Sequence, residues 1–439
     1  MFKRLVIVVL FALLVFGGVG AQDAGELRVD ASQSLGMINP FVYGANYGPP
    51  ALVGLDLIEA AQVSGVTYFR IPAGRWGDDN DLTTQFIDLY YGQAQQWGME
   101  LSISTRLPGS GGSPEKSAAQ VQYTLDKGYN VRYWAIGNEP DLIDAYQGED
   151  NTDFSQFKMD DYNRDWRAVA EAMLAVNPDI VLVGPDVSQF PPTPEGDPYN
   201  NVRREFVREF LRANGDLVDI VSIHRYPFPR NRQATTREEL QANAAEWDVL
   251  IENLREVIRD VMGTDMPIAV TEVNSHWSNG GNGEATPDSY YNAIWWADVL
   301  GRLITQKVDI VAYFAFQSVG ANGAFGLLER YVVRPTYYTY QLYQRFGQEL
   351  LLSESPDDIV RIYAARRDDG ALTLIVINMG EEEADRTLLL SGFTPSGDAE
   401  VWRLDPERNA EPLDAQSIAN GSALTLPGQS VTLYIVPGS

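Results

Sequence analysis

The feature that most constrains the fold of this chain is an eightfold alternation of short apolar runs and longer helical patterns between residues 40 and about 345. Turn residues bound each run, and helical segments such as "MDDYNRDWRAVAEAMLAVNPD" separate one run from the next. Repeated strand–helix units are typical of parallel sheets, and this number of units favours a closed (β/α)₈ barrel over an open sheet. The predicted strands are Phe41–Asn46, Val66–Ile71, Glu100–Arg106, Val131–Asn138, Ile180–Gly184, Ile220–His224, Ile268–Glu272 and Ile310–Phe316.

The sequence pattern changes after Leu350. Segments such as "IVRIYAARRDDGALTLIVINMG" and "SVTLYIVPGS" alternate short apolar strands with turns, which predicts an antiparallel β-sandwich. The early segment "ELRVDAS" has the same character, and we expect it to pair into that sandwich. The predicted fold class is therefore α/β, a TIM barrel followed by a C-terminal antiparallel β-sandwich. The expected bounds are 22–39 for the N-terminal strand segment, 40–349 for the barrel and 350–439 for the sandwich.

The first 21 residues have the features of a bacterial-type export signal. Lys3 and Arg4 are positive, Leu5 to Phe16 is apolar, and small residues up to Ala21 suit cleavage. The apolar run is short for a membrane span, although an uncleaved anchor stays open as the alternative. We therefore expect a secreted protein, extracellular or periplasmic, without membrane contact after cleavage.

Charge and composition exclude several classes of partner. The formal net charge of −27 repels nucleic acid and anionic membranes. The chain has no cysteine and only two histidines, so a zinc site would be poorly supplied with its usual ligands. No Gly-x-Gly-x-x-Gly follows the first predicted strand, which argues against a dinucleotide. The run "GDDNDL", Gly77 to Leu82, lacks the spacing of a known calcium loop. We expect neither a metal nor a cofactor.

Two glutamates stand at the ends of predicted strands. In "YWAIGNEPDL" Glu139 follows the fourth strand, and in "IAVTEVNSHW" Glu272 ends the seventh. Active sites of such barrels lie at the carboxyl ends of the strands, and these two strands lie on opposite sides of the mouth. Facing carboxylates suit glycoside hydrolysis, in which one protonates the departing oxygen and the other attacks or activates water. A solvated strand end for Glu139 and a rim salt bridge for Glu272 are the structural alternatives.

These motifs, together with "INPFVYGAN" and "VSIHRYPF", resemble those of the retaining glycoside hydrolases of clan A over nearly the whole mature chain. The resemblance is closest to the branch that holds arabinofuranosidases, β-xylosidases, family-44-type endoglucanases and heparanase-like β-glucuronidases. It implies that Glu139 is the acid/base and Glu272 the nucleophile. It also implies that Asn138 bonds the sugar 2-hydroxyl.

The same resemblance assigns supporting roles to other residues. Arg70 matches the arginine that holds the nucleophile ionised, and His224 and Tyr226 match residues that line the site. A barrel-interior ion pair for Arg70 and a purely structural hydrogen bond for His224 remain open. Trp277, with His276, either forms a sugar-stacking wall or covers a neighbouring loop.

One departure from the family pattern concerns the last barrel strand. Many clan members carry a tryptophan at its end, under the sugar at the cleaved bond. The segment "IVAYFAFQSVG" offers Phe314, Phe316 and Gln317 instead. This departure puts the shape of the innermost sugar subsite in doubt.

The predicted function is that of a secreted glycosidase acting by double displacement on an extracellular polysaccharide, with plant β-glucan or xylan as the first expectation. Five arginines near the site supply positive charge that suits the carboxylate of a uronic acid, so a heparanase-like β-glucuronidase is an alternative. A non-catalytic carbohydrate-binding protein on the same fold is another. Linkage, internal or terminal cleavage and oligomeric state stay open. The five arginines are Arg75, Arg106, Arg225, Arg230 and Arg232.

Overall fold

The computed structural model of this chain describes residues 25–150, 152–192, 198–228, 235–278, 280–318 and 323–439. The predicted export signal, residues 1–21, lies outside the described residues, as do Arg230 and Arg232. In the described part of the chain, no helix has both the length and the apolar character that a membrane span requires.

The predicted barrel is confirmed. After an N-terminal strand, β1 (Glu26–Met37), eight strands pair in parallel and in chain order, and the last closes on the first, with Gly44 opposite Ala312. The barrel strands are β2 (Gly44–Asn46), β3 (Tyr68–Ile71), β4 (Glu100–Thr105), β5 (Tyr133–Ile136), β6 (Val181–Val187), β7 (Ile220–Arg225), β8 (Ile268–Val273) and β9 (Ile310–Tyr313).

Five predicted barrel strands, the first four and the last, are longer than the observed ones, and the first and fourth show the physical reason. The first begins with a 3₁₀ turn, Pro40–Tyr43, because the side chain of Asn39 accepts a hydrogen bond from the Phe41 N–H and caps the turn. The fourth ends at Ile136, since Gly137 and Glu139 both have positive φ angles, 86° and 42°. This turn of the backbone takes the residues after β5 out of the sheet and toward the barrel mouth.

Helices surround the barrel, and their ends follow ordinary capping chemistry. Thr236 and Glu239 form a capping box, and Gly263 ends a long helix in the left-handed conformation that glycine adopts readily. Trp295 and Trp296 are fully buried, as expected of core residues. The α-helices of the described residues are α1 (Ile58–Gln62), α2 (Trp76–Asp79), α3 (Thr84–Trp97), α4 (Pro114–Asp126), α5 (Met159–Val176), α6 (Pro198–Asn214), α7 (Arg237–Ala244), α8 (Glu246–Met262), α9 (Tyr290–Thr305) and α10 (Pro335–Tyr343).

The C-terminal domain is a sheet of nine strands around its own apolar core, which confirms the predicted fold class. Strand β1 lies between two strands of this domain, antiparallel to one and parallel to the other, so the sheet contains one parallel pair. Beyond a short hairpin, β10 (Leu328–Glu329) and β11 (Val332–Val333), its strands are β12 (Glu349–Glu354), β13 (Val360–Arg366), β14 (Leu372–Asn378), β15 (Ala384–Ser391), β16 (Ala399–Asp405), β17 (Arg408–Gln416), β18 (Ser422–Leu426) and β19 (Ser430–Val436).

The sheet domain docks on the barrel through helix α9. The side chain of Arg302 is 1% exposed and bonds Asp298 on its own helix and Asp358 in the sheet domain, at 2.8 and 2.7 Å. The Tyr363 hydroxyl donates to Asp298 from β13. Because these charged groups are paired and hydrogen-bonded, their burial is tolerated. None of these residues lines the cavity at the barrel mouth.

Candidate active site

The mouth of the barrel contains a cavity of about 630 Å³ into which both strand-end glutamates project. Glu139 reaches it from the turn after β5, and Glu272 reaches it from within β8. The described aromatic residues of its wall are Tyr226, Trp277, Phe314 and Phe325. The two carboxylates that the sequence places on distant strands therefore meet in one cavity.

The carboxylate of Glu272 is buried, and each of its two oxygens accepts a hydrogen bond. Its side chain is 4% exposed. Arg70 Nη1 donates to Oε1 at 3.0 Å, and the Tyr226 hydroxyl donates to Oε2 at 2.7 Å. Burial raises the pKa of the Tyr226 hydroxyl well above its usual value, so this group stays a donor. A guanidinium and a hydroxyl donor together stabilise the negative charge of a carboxylate in this position.

Glu139 has a different environment. Its side chain is 22% exposed, and its Oε1 lies 3.2 Å from His224 Nδ1. Burial, with the nearby negative charge of Asp141, raises the pKa of Glu139 to about 8, although Arg70 acts in the opposite direction. The group therefore carries a proton at neutral pH, as a general acid must.

The two carboxylates are close together. One ligand atom from each of Glu139, His224 and Glu272 can be chosen so that all three atoms lie within 4.8 Å of one another. Such a group has the spacing of a metal site. However, Arg70 already supplies a positive charge to one oxygen of Glu272, and the Tyr226 hydroxyl donates to the other. We assign no metal to this group.

Arg70 organises the floor of the site. It follows Tyr68 by two residues on β3 and so shares its direction, into the barrel interior. Its side chain is 1% exposed and bonds both Glu272 and the Asn138 amide oxygen, the latter at 3.0 Å. It also bonds Asn46 and Asp186, at 3.1 and 2.8 Å. Arg70 thus makes the predicted interior ion pair and contacts the predicted nucleophile at the same time.

Sequence reasoning missed Asp186. The predicted fifth strand ended at Gly184, before Pro185, whereas β6 runs on to Val187 and carries Asp186 into the site. Burial by itself would raise the pKa of Asp186, but Arg70, His224 and hydrogen bonds outweigh it and hold this pKa below its usual value. The sequence did contain one indication of this site residue: Asp186 is a polar residue just beyond the apolar run that ends at Gly184.

Asn46 was also missed, although it ends the predicted first strand. It is fully buried, donates to the carbonyls of Thr271 and Ala312, and accepts from Arg70. These bonds connect β2 to β3, β8 and β9. The signal was its position, since a polar residue at the end of a barrel strand faces the active-site end.

The remaining predicted residues fall in two groups. Asn138 and His224 are buried beside the glutamates, while Trp277 is 48% exposed at the cavity rim. His276 does not line the cavity; it bonds Thr235 and Ser275, at 2.8 and 2.9 Å. The wall at this edge is therefore formed by Trp277 without its histidine neighbour.

Phe314 follows the last barrel strand, β9, at the end where the sequence departs from the family's tryptophan. Phe314 lines the cavity and packs edge-to-face on Phe325 at 5.3 Å between ring centroids. Phe316 instead packs into the core against Phe69, at 4.8 Å. Two phenylalanines thus form the apolar wall on that side.

The chain is similar to several known proteins in sequence and in fold. The family model of the glycosyl hydrolases family 39 matches residues 126–381. Heparanase of Mus musculus is 23% identical over 395 residues, 80% of this chain and 68% of that protein. A β-xylosidase of Caldicellulosiruptor saccharolyticus is 22% identical over 304 residues, 64% of this chain and 56% of that protein.

Heparanase of Rattus norvegicus matches over only 47% of its length, so the chain spans about half to two thirds of the length of these curated relatives. Among solved structures, CelM2, a bifunctional glucanase-xylanase from a metagenome library, superposes with a TM-score of 0.71 at 18% identity. That match covers 95% of this chain and 100% of CelM2. It shows that the two proteins share a fold.

Proposed function

This chain belongs to the glycosyl hydrolases of family 39 and is a glycosidase, and from this premise we propose that it acts with retention, through a covalent glycosyl-enzyme on Glu272. One observation carries the proposal: an oxygen of Glu139 and an oxygen of Glu272 lie within 4.8 Å of each other. Retaining enzymes hold their two carboxyl groups roughly 5–5.5 Å apart, whereas inverting enzymes leave roughly 6.5–9.5 Å for a water molecule.

In the first step Glu272 attacks the anomeric carbon while Glu139 gives its proton to the departing oxygen. The glycosidic bond breaks, and an ester bond to Glu272 forms. The bonds from Arg70 and Tyr226 support this role, because they hold the attacking carboxylate in place and stabilise its charge.

In the second step Glu139, now ionised, removes a proton from water, and the water oxygen attacks the same carbon and displaces Glu272. The raised pKa of Glu139 supports this double role, since a group that titrates near the working pH both gives and accepts a proton. His224 is buried with a lowered pKa, which suits a hydrogen-bonding role beside Glu139 better than proton transfer.

For the substrate we propose a neutral β-linked polysaccharide, with glucan or xylan first, outside the cell. The charges around the site support this choice. Arg106 pairs with Asp81 at 3.0 Å, and Arg75, on the surface, with Asp79 at 3.5 Å. Arg225 pairs with Glu246. Among the described residues, each arginine that could have received a uronic acid therefore already has a carboxylate partner.

The second candidate is a β-glucuronidase, which the similarity to mouse heparanase favours. The non-catalytic alternative is set aside, because the family is one of glycosidases and both glutamates lie in the cavity. We assign catalysis to the barrel, residues 40–349, and a docking role to the sheet domain, residues 350–439. For residues 1–21 we propose the export signal.

The deciding experiment measures sugar release from glucans, xylans, arabinans and uronic-acid polymers by the wild type and by Glu272→Ala. Glu252→Ala is the matched control, because Glu252 is an exposed glutamate on α8 whose partner is Arg259. We expect release from neutral polymers by the wild type and the control but not by Glu272→Ala. Equal release by all three would exclude Glu272 as the nucleophile, and release from uronic-acid polymers alone would select the glucuronidase.

A further inference from the structure

Strand β6 contains a β-bulge at Asp186. Pro185 lies opposite Ser222 on β7. The next residue of β7, Ile223, lies opposite Val187, so Asp186 is an extra residue on β6. Its φ angle of 55° lies in the left-handed region, which residues other than glycine seldom adopt. Bulges are common beside active sites, where they redirect a side chain.

Strand β8 contains a second bulge, at Thr271. Val270 and Glu272 lie opposite successive residues of β7, so Thr271 between them is the extra residue. Val270 and Val273 both belong to the apolar core that the strands share with the helices. Because side chains alternate along a regular strand, two residues three apart would face opposite ways. The extra residue removes this conflict, and Thr271 and Glu272, although adjacent in the chain, both face the barrel interior.

The two bulges are bonded to each other across β7. The Thr271 hydroxyl donates to Asp186 Oδ1 at 2.5 Å, and Arg70 Nη2 donates to Asp186 Oδ2 at 2.8 Å. All three side chains are buried. A buried carboxylate that accepts from a guanidinium on one oxygen and from a hydroxyl on the other has little freedom to move. Asp186 and Thr271 are called the bulge pair below.

The bulge pair is connected to both proposed catalytic glutamates. Thr271 directly precedes Glu272 in the chain, and Arg70 bonds Glu272 Oε1 at 3.0 Å as well as Asp186. On the other side of the site, the backbone carbonyl of Asp186 accepts a hydrogen bond from the N–H of Glu139 at 3.1 Å. One residue, Asp186, therefore contacts the backbone that carries the acid and the side chain that precedes the nucleophile.

We propose that Asp186 and Thr271 are positioning residues: the hydrogen bond between them fixes the bulge in β8 and so holds the carboxylate of Glu272 in its attacking position, across from Glu139. Neither residue of the bulge pair lines the cavity, so both act through Glu272 and not on the substrate. This inference rests on the proposed retaining mechanism. A displacement of the nucleophile by about 1 Å is enough to cost about 10²-fold in rate.

The test measures how fast Glu272 reacts. The enzyme is treated with 2-deoxy-2-fluoro-β-glycosyl fluorides of xylose, glucose and glucuronic acid, and the labelled residue is located by mass spectrometry. Glu272 attacks the anomeric carbon, an ester bond forms, the carbon–fluorine bond breaks and fluoride leaves. Because fluoride needs no proton, the maximal labelling rate reports on the nucleophile, and the half-saturating concentration of the fluoride reports on binding.

Two substitutions of Thr271 separate bonding from packing. Valine has the size of threonine but no hydroxyl, whereas serine keeps the hydroxyl and loses a methyl group. We expect Thr271→Val to lower the maximal labelling rate about tenfold and Thr271→Ser to stay within about threefold of the wild type. The half-saturating concentration should change less than about threefold in either variant. A packing role would give the opposite order, because the serine variant leaves a cavity.

Asp186→Asn tests the other half of the bulge pair. Its amide is uncharged and weakens the bonds to both Arg70 and Thr271, so the maximal labelling rate should fall about 10²-fold. In the double variant Asp186→Asn/Thr271→Val the loss should be smaller than the product of the two single losses. The reason is that both substitutions weaken the same bond.

Asp298→Asn is the matched control. Asp298 is fully buried, and like Asp186 it has one oxygen on an arginine, Arg302 Nε at 2.8 Å, and the other on a hydroxyl, that of Tyr363. It lies on α9 at the contact with the sheet domain and does not line the cavity. It should lower the midpoint of urea unfolding and leave the maximal labelling rate unchanged.

The outcomes separate this inference from the proposed function. If no fluoride labels Glu272 in the wild type, the proposed function fails and this inference with it. If the wild type is labelled but Thr271→Val reacts as fast, or Thr271→Ser reacts more slowly than Thr271→Val, the positioning role is wrong while the retaining mechanism stands. A loss seen only in the half-saturating concentration, an equal loss of rate in Asp298→Asn, or a double variant whose loss equals the product would also overturn it.

Discussion

The ends of strands β5 and β8 carry the same side chain in two environments. Glu272 is 4% exposed, and its oxygens accept bonds from Arg70 and Tyr226. Glu139 is 22% exposed, contacts His224, and has a pKa raised to about 8 by burial and by Asp141. Glu272 is bonded directly by a guanidinium and a hydroxyl, whereas the described side-chain hydrogen bond of Glu139 is to the imidazole of His224. This difference supports the proposed division of roles, with Glu272 as the nucleophile and Glu139 as the acid.

The largest effect on activity is expected at Glu272, the carboxylate that accepts hydrogen bonds on both oxygens. Glu272→Ala should lower kcat/KM by about 10⁴-fold or more, because no other group near the anomeric carbon can form the covalent intermediate. With azide present, the variant should release the α-glycosyl azide, since azide attacks from the side that Glu272 vacates. The product is identified by NMR, and the β-azide would contradict the assignment.

Glu139→Ala should show a loss that depends on the leaving group. For polysaccharide we expect a fall of about 10²–10⁴-fold, whereas a dinitrophenyl glycoside, whose leaving group needs no proton, should lose far less in its first step. Azide should here give the β-glycosyl azide, the opposite configuration to that of the Glu272 variant. Equal losses on both substrates would remove the acid role from Glu139.

Arg70→Lys tests the hydrogen bonds that the guanidinium makes to Glu272 and its neighbours. Lysine keeps the charge but not the fork that bonds Asn46, Asn138, Asp186 and Glu272. Misplacement of the nucleophile should lower kcat about 10²-fold with a smaller change in KM.

Arg302→Lys is the matched control for Arg70→Lys. Its side chain is also 1% exposed and paired with aspartates, but it lies at the contact with the sheet domain. It should lower the midpoint of urea unfolding without changing kcat. If Arg302→Lys lost as much activity as Arg70→Lys, reduced stability would explain the loss in both variants.

The pH profile sharpens the comparison on the Glu139 side. A raised pKa means that Glu139 is protonated below about 8 and loses its proton as the pH rises through that value. The kcat/KM for polysaccharide should therefore fall above pH 8, by about tenfold per pH unit. In Glu139→Ala this fall of kcat/KM above pH 8 should be absent. Asp78→Asn should shift it slightly to lower pH, because a neighbouring negative charge is removed.

The smallest effect is expected at the rim. Trp277 is 48% exposed, so Trp277→Ala should change the free energy of unfolding by less than about 0.5 kcal/mol. Loss of a sugar-stacking surface should raise KM a few-fold, with kcat nearly unchanged. Val249→Ala, at another exposed apolar position, should alter neither. An unchanged KM in Trp277→Ala would indicate that Trp277 only covers a neighbouring loop.

Much of the site was predictable because strand ends are visible in sequence. Glu139, Glu272 and Asn138 end apolar runs, and a parallel barrel brings all such ends to one side. Asp186 was missed because Gly184-Pro185 resembled a strand end, while β6 continues through both residues. Asp78 was not predicted as a site residue, since nothing local to "GDDNDL" indicates that the Asn138 amide donates a hydrogen bond to it.

The sequence by itself determined the alternation that makes a barrel and the two acidic strand ends, because both follow from the local order of apolar and polar residues. It also determined that a mainly antiparallel sheet domain follows the barrel. Only the tertiary structure decided which glutamate receives the arginine and which one is left with a raised pKa. Those properties depend on burial and on charges from distant strands, and neither is set by the residues adjacent in the chain.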